Sequence, residues 1–218
     1  MPPRRRTAIS SAGSSSQCQN GSGVGMRRRG GILGIPTESS YGLAVDPLDA
    51  RGVEAVFAVK GRERGEALPV LIADLEQATV LGVDRATPGL AAVAARWPAA
   101  LTIVVPIPRA IPASAGDESI AIRVPEHARL RSLLAHTGPL TATSANRSGE
   151  SALVDPIATA ELLHGVDARV IDDGRLGGGP PSTLVRWEGG GFRVLRAGRY
   201  PLDRLPLQDP SDAPGSER

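Results

Sequence analysis

The stretch Gly31-Ile32-Leu33-Gly34-Ile35-Pro36-Thr37-Glu38-Ser39-Ser40-Tyr41-Gly42 decides how the chain is read. Ile32-Leu33-Gly34-Ile35 is a short apolar run halted by a proline, which is the pattern of a buried strand. Hydroxyl and carboxylate groups follow at once, gathered where the strand emerges. In α/β folds such strand ends host small polar ligands. Thr37 and Ser39 serve equally well as caps for the orphan amides of a helix or turn. The stretch alone leaves both roles open.

Working outward, Asp49 is the expected N-cap of a helix that carries Val53, Val56 and Phe57 inward and ends at Lys60-Gly61. A strand is predicted over 69–73, and two alanine-rich helices at about 75–81 and 88–96. Strands over 101–105 and 120–124 precede an amphipathic helix over 126–136. A strand over 140–144, a helix at about 156–164 and a strand over 169–172 lead to a hairpin, 182–187 with 192–195, around Gly189-Gly190-Gly191. Strands alternating with helices and closing in a hairpin predict an α/β fold: one domain over 30–200 with a twisted mixed β-sheet and flanking helices.

Residues 1–29 are rich in Ser, Gly, Gln, Asn and Arg with no apolar period, and read as a low-complexity, disordered leader in which Met26 is a candidate start. Gly21-Ser22-Gly23-Val24-Gly25 imitates a phosphate loop but follows no strand. Residues 201–218 form a Pro- and Asp-rich tail, expected to be unpaired.

The chain has 218 residues, enough for a proper core, yet its aromatic content is 3%, so Val, Leu, Ile and Ala must fill that core. A formal charge of +2 does not by itself indicate a nucleic-acid binder, and the basic runs Arg4-Arg5-Arg6 and Arg27-Arg28-Arg29 lie in the leader. Cys18 is the single cysteine, so no intramolecular disulfide is available and a reducing compartment is expected. No apolar run is long enough to span a bilayer, and the basic start lacks the apolar core of a secretory signal. A cytoplasmic protein without membrane contact is expected.

Among 25 basic residues one is a lysine, Lys60. An ammonium is a compact point charge where arginine is a planar fork. Lys60 and Arg62, two apart, do not share a helical face, so they cooperate only if the helix breaks at Gly61. The same cations would complement a helix C-terminus with no ligand at all. In Ser144-Ala145-Asn146, strand spacing puts Ser144 and Asn146 on one side, suited to phosphate or ribose oxygens or to a local Asx turn. Arg123 interrupts an apolar strand, where it either snorkels at an edge or bonds a carboxylate in a pocket. Arg196 ends another strand, and the run Gly177-Gly178-Gly179-Pro180-Pro181 delivers Ser182 to a strand start. His127, His136 and His164 show no metal-ligand spacing, so no metal site is expected. Neither a nucleophile elbow, a P-loop nor a Rossmann fingerprint occurs, and covalent catalysis has no support.

Taken in order, G-G-I-L-G-I-P-T-E-S-S-Y-G-L from Gly30, K-G-R from Lys60, I-A-I-R-V-P from Ile120, G-P-L-T-A-T-S-A-N-R-S-G from Gly138, S-T-L-V from Ser182 and V-L-R-A-G from Val194 resemble the YrdC/Sua5 family. The resemblance runs from about Gly30 to Arg199. It implies a YrdC-like domain with a concave basic face and the activity of a threonylcarbamoyl-AMP synthase. L-threonine, bicarbonate and ATP would give L-threonylcarbamoyladenylate and pyrophosphate. A separate transferase complex would then use the product for the t6A modification of adenosine 37 in tRNA.

By the same resemblance Lys60, Arg62, Ser144 and Asn146 are the catalytic set and, with Arg196, hold the nucleotide. Thr37, Tyr41, Arg123 and Ser182 line the threonine side, with Tyr41 as a wall of the cleft. Mg²⁺ would arrive with ATP. The chain departs from the family where Glu63, Glu66 and Ala67 replace its usual prolines and basic residue, and where Pro98-Ala99-Ala100-Leu101-Thr102 replaces P-G-P-L-T. Neither the helix that usually precedes the family's first strand nor the extra C-terminal domain of longer Sua5 proteins is expected here. Two other readings use the same residues: a module that binds tRNA or duplex RNA without synthase activity, and a related carbamoyl-adenylate-forming protein.

Overall fold

The structure, a computed structural model, describes residues 8–11, 31–61 and 65–207. Its strands are β1 (Ala8–Ser11), β2 (Ile32–Pro36), β3 (Tyr41–Ala44), β4 (Val70–Leu71), β5 (Leu101–Pro106), β6 (Ser119–Arg123), β7 (Leu140–Thr141), β8 (Thr143–Ser144), β9 (Ala168–Asp172), β10 (Thr183–Glu188) and β11 (Gly191–Arg196). Helices α1 (Ala50–Lys60), α2 (Leu90–Ala94), α3 (Ala128–Thr137) and α4 (Pro156–Leu162) are interspersed with short 3₁₀ turns.

The fold is mixed α/β, but the single sheet expected from the sequence is two. One runs β1-β9-β2-β3-β8, the other β11-β10-β5-β6-β4-β7. Both mix parallel and antiparallel pairs: β9 is parallel to β2, while β2 and β3 form an antiparallel ladder in which Pro36 opposes Tyr41. The division explains why 140–144 is not one strand. Leu140–Thr141 pairs with β4, and after Ala142 the chain crosses so that Thr143–Ser144 pairs with β3. Thr141 fastens the crossing, because its hydroxyl oxygen accepts from the Val45 amide at 3.0 Å while its own amide donates to the Val45 carbonyl at 2.8 Å. This junction delivers Ser144, Ala145 and Asn146 to the end of the first sheet.

The core is aliphatic, as the composition requires. Ile32, Leu43, Val56, Leu101, Ile103, Ile122, Val170 and Val185 are buried in one cluster, and Ile35, Leu71, Leu130, Leu134 and Leu140 form a smaller one under α3. The α1 boundaries match the sequence reading. Asp49 accepts from the Arg51 amide, and Gly61 ends the helix in the left-handed region (φ 60°). The helix expected over 88–96 is shorter, Leu90–Ala94, because Gly89 has φ 77° and lies outside helical space.

Two expectations at the ends are corrected. Ala8–Ser11, inside the expected disordered leader, is a strand parallel to β9, with Ala8 opposite Arg169. Four residues show no period, and β9 supplies the edge that pairs them. Similarly, the start of the tail is not unpaired. Leu202–Arg204 forms a 3₁₀ turn, Leu205 is buried and Leu207 bridges Phe192. The remainder of the leader and tail lies outside the described residues, as do Arg62 and Glu63.

Candidate functional site

The turn between β2 and β3 is closed by Thr37, whose amide and hydroxyl both donate to the Ser40 carbonyl, at 3.1 and 2.7 Å. The hydroxyl proton is spent on the turn, while the oxygen keeps its lone pairs as acceptors. Thr37 therefore acts as a cap without losing the capacity to meet a ligand.

Lys60 occupies the last turn of α1, where its charge complements the helix dipole, and is only 4% exposed. Its Nζ donates to the Ser144 carbonyl (2.7 Å), the Asn146 carbonyl (3.2 Å) and Asn146 Oδ1 (3.0 Å). Ser144 Oγ donates to the same Oδ1 at 2.5 Å, and Asn146 Nδ2 donates to the carbonyls of Arg147 and Glu150. A buried ammonium needs acceptors of this kind. Lys60, Ser144 and Asn146 thus form one cluster, as the sequence suggested. Arg62 lies outside the described residues.

A second group surrounds Arg123. Its Nη1 and Nη2 donate to the two carboxylate oxygens of Glu38 at 2.7 and 3.0 Å, a two-pronged pair with both side chains about one-tenth exposed. Glu38 also accepts from the Glu126 amide at 2.6 Å. Burial pushes the Glu38 carboxyl up, but the charge and hydrogen bonds of Arg123 outweigh it and hold the group below the usual carboxylate range. A carboxyl with a lowered folded-state pKa contributes stability above its unfolded pKa and loses it as pH falls through the folded value. The pair should therefore persist through mildly acidic conditions.

Nearby, Arg196 donates to the Ser182 carbonyl at 3.0 Å, and Ser182 Oγ shares a 2.8 Å hydrogen bond with Thr102 Oγ1. The Arg196 pKa is lowered, first by desolvation of its head group and then by the charge of Arg123. Arg199 Nη1 donates to the Glu38 carbonyl at 3.1 Å. The two groups are joined through the first sheet, where Pro36 opposes Tyr41 and Gly42 opposes Ser144.

Tyr41 is corrected. Its side chain is fully buried, and its hydroxyl donates to the Gly174 carbonyl (2.8 Å) while accepting from the Asp173 amide (3.0 Å). Burial, then the charges of Asp172 and Asp155, push its pKa up to about 12. Tyr41 pins the loop after β9 instead of walling a cleft. Tyr41→Phe should lower stability by about 1–3 kcal/mol in thermal unfolding, by orphaning that amide and carbonyl. The KM values of the variant should stay near wild type.

Among the described residues no group of three His, Cys, Asp or Glu could hold a metal ion, and no helix is long and apolar enough to cross a membrane. His127 instead caps α3 through Nδ1, which accepts from the Leu130 amide, and pairs with Asp173 through Nε2 at 2.9 Å.

With this geometry in view, residues 26–198 match the Sua5–YciO–YrdC family, whose description reads "Telomere recombination". The chain belongs to the Sua5–YciO–YrdC family. A relative from Chromobacterium violaceum named threonylcarbamoyl-AMP synthase is 36% identical over 173 residues, covering 78% of this chain and 88% of its own. One of the same name from Pyrococcus abyssi is 33% identical over 189 residues, and the chain spans 54% of its length. The crystal structure of P. abyssi Sua5 complexed with L-threonine superposes with a TM-score of 0.73 at 29% identity, covering 84% of this chain and 57% of that one. In this member of the Sua5–YciO–YrdC family, sequence reasoning missed Glu38, Thr102 and Arg199. A signal existed for Glu38 alone, since it is the one carboxylate between Pro36 and Val45, and a carboxylate partner is one of the two readings of Arg123.

Proposed function

We propose that the chain synthesises L-threonylcarbamoyladenylate from L-threonine, bicarbonate and ATP. The observation that carries this reading is the pair of linked sites. A buried ammonium and amide (Lys60, Asn146) and the hydroxyl of the exposed Ser144 stand at one end of β3 and β8, and an arginine fork (Arg123) stands beyond the β2–β3 turn. The names of the C. violaceum and P. abyssi relatives support the same activity.

The chemistry suits a site without a nucleophile. The threonine amine and bicarbonate condense to a carbamate with loss of water. A carbamate oxygen then attacks the α-phosphorus of ATP, the bond to the bridging oxygen breaks, and pyrophosphate leaves. Such a reaction depends on alignment and charge neutralisation. In this reading Lys60, Ser144, Asn146 and Arg196, with Arg62, hold the nucleotide and carbamate, while Thr37, Arg123 and Ser182 hold threonine. ATP would bring Mg²⁺, which neutralises phosphate charge. The product would pass, in the cytoplasm, to a transferase complex that modifies tRNA.

The test is pyrophosphate release from ATP and bicarbonate, with and without L-threonine. Threonine-dependent release is expected. Absence of release with any amino acid, together with salt-sensitive duplex-RNA binding, would overturn the reading in favour of an RNA-binding module.

A further inference from the structure

Arg123 is held by its end. The two hydrogen bonds from Nη1 and Nη2 to Glu38 use the terminal edge of the guanidinium and leave its side edge, Nε–H with the adjacent Nη–H, unbonded among the described residues. A guanidinium carries five N–H donors, so one carboxylate on the end leaves a second two-pronged face. Among the described residues no fully buried side-chain nitrogen or oxygen lacks a partner, so Arg123 Nε, which bonds none of them, is not fully enclosed.

Glu38 is itself over-determined. The Glu126 amide bonds its carboxylate, Arg199 bonds its backbone carbonyl, and Gly178 donates to the next carbonyl, that of Ser39, at 2.9 Å. The group that grips Arg123 is thus fastened to the loop before α3, to the segment after β11 and to the glycine-rich loop.

We propose that Glu38 is a positioning residue that clamps Arg123 by its end and presents its side edge to a second carboxylate, that of the amino-acid substrate. The inference rests on the reading of Arg123 as part of the threonine site. The Glu38 carboxylate also neutralises the Arg123 guanidinium that it grips. A glutamine in its place would turn an amide N–H toward one guanidinium N–H, breaking the two-pronged grip while keeping the volume.

The test is steady-state pyrophosphate release by the full chain and by E38Q, E38D and R123K, with threonine and ATP varied separately. E38Q should raise the threonine KM about tenfold or more, with the ATP KM and saturated kcat within about threefold of wild type. E38D, which keeps the charge but falls short of the fork, should raise it less. A threonine KM unchanged in E38Q but raised in R123K overturns the clamp and leaves the threonine site standing. An unchanged threonine KM in R123K removes Arg123 from that site and the clamp with it. Equal rises of both KM values in E38Q show a general structural role and overturn the proposal. Should E38Q fail to fold, E38D decides: no rise in its threonine KM overturns the clamp. A wild-type chain with no threonine-dependent release refutes the synthase reading instead.

Discussion

Lys60→Ala is expected to reduce threonine-dependent pyrophosphate release by about 10²–10³-fold, the loss typical when a fixed donor facing developing charge is removed. Two effects combine. The first is electrostatic, since the buried ammonium places its charge among the Ser144 and Asn146 carbonyls and the Asn146 amide oxygen. The second is structural, because those three acceptors lose a shared donor; Asn146 Oδ1 keeps that of Ser144 Oγ, and a buried acceptor left with none costs about 1–3 kcal/mol where water cannot enter. Thermal unfolding should therefore shift downward, by about 2–4 °C for each kcal/mol lost in a chain of this size. Lys60→Arg separates charge from shape. A planar fork cannot converge on three acceptors arranged around a point, so it should also fail, though it keeps the charge. Near-normal turnover in Lys60→Ala would remove Lys60 from the site.

The elements that were legible in the sequence are those whose signals are local. Asp49 and Gly61 bound α1 because an oxygen acceptor and a left-handed glycine act within one turn. The β10–β11 hairpin follows from alternation around Gly189-Gly190-Gly191. β3 escaped notice because all four of its residues are buried, so no alternation marks it. Tyr41 was read with its polar neighbours when its ring belonged to the core, since strand direction, not composition, sets where a side chain points. The β7–β8 crossing could not be read either, because pairing with two sheets is a property of the partners.

The site divides along the same line. Lys60, Ser144 and Asn146 come from two short motifs that meet when α1 packs beside the sheet junction, and a compositional oddity pointed to the first of them. Arg123, standing in an apolar strand, is open to snorkelling or to a carboxylate partner, and that partner lies 85 residues away. Only tertiary structure names it. Thr37 caps the turn by donating its hydroxyl proton to the Ser40 carbonyl, which leaves its oxygen lone pairs for the proposed contact with threonine.

The second large effect is expected at a residue that touches no ligand. In Gly198→Ala the new methyl would overlap the Pro181 carbonyl oxygen and lie 2.5 Å from the Ser182 carbonyl carbon, both rigid backbone. The segment cannot simply lift away. The Gly198 amide donates to Thr183 Oγ1 at 3.1 Å, the Arg199 amide donates to the Pro181 carbonyl at 2.8 Å, and Thr183 Oγ1 donates to the Tyr200 carbonyl at 2.8 Å. Relief of the overlap must break part of this ladder or move Ser182, and Ser182 is the residue that Arg196 and Thr102 hold. A loss near the top of the overpacking range, about 3 kcal/mol, is expected. That is about 6–12 °C in thermal unfolding. Because Ser182 and Arg196 move together, the threonine and ATP KM values should both rise, unlike the selective rise expected for E38Q. Gly177→Ala is the matched control, since a methyl there meets nothing within 4 Å. It should stay within about 0.5 kcal/mol of wild type. Equal stability of the two variants would show that the close approach at Gly198 is not what holds Ser182 in place.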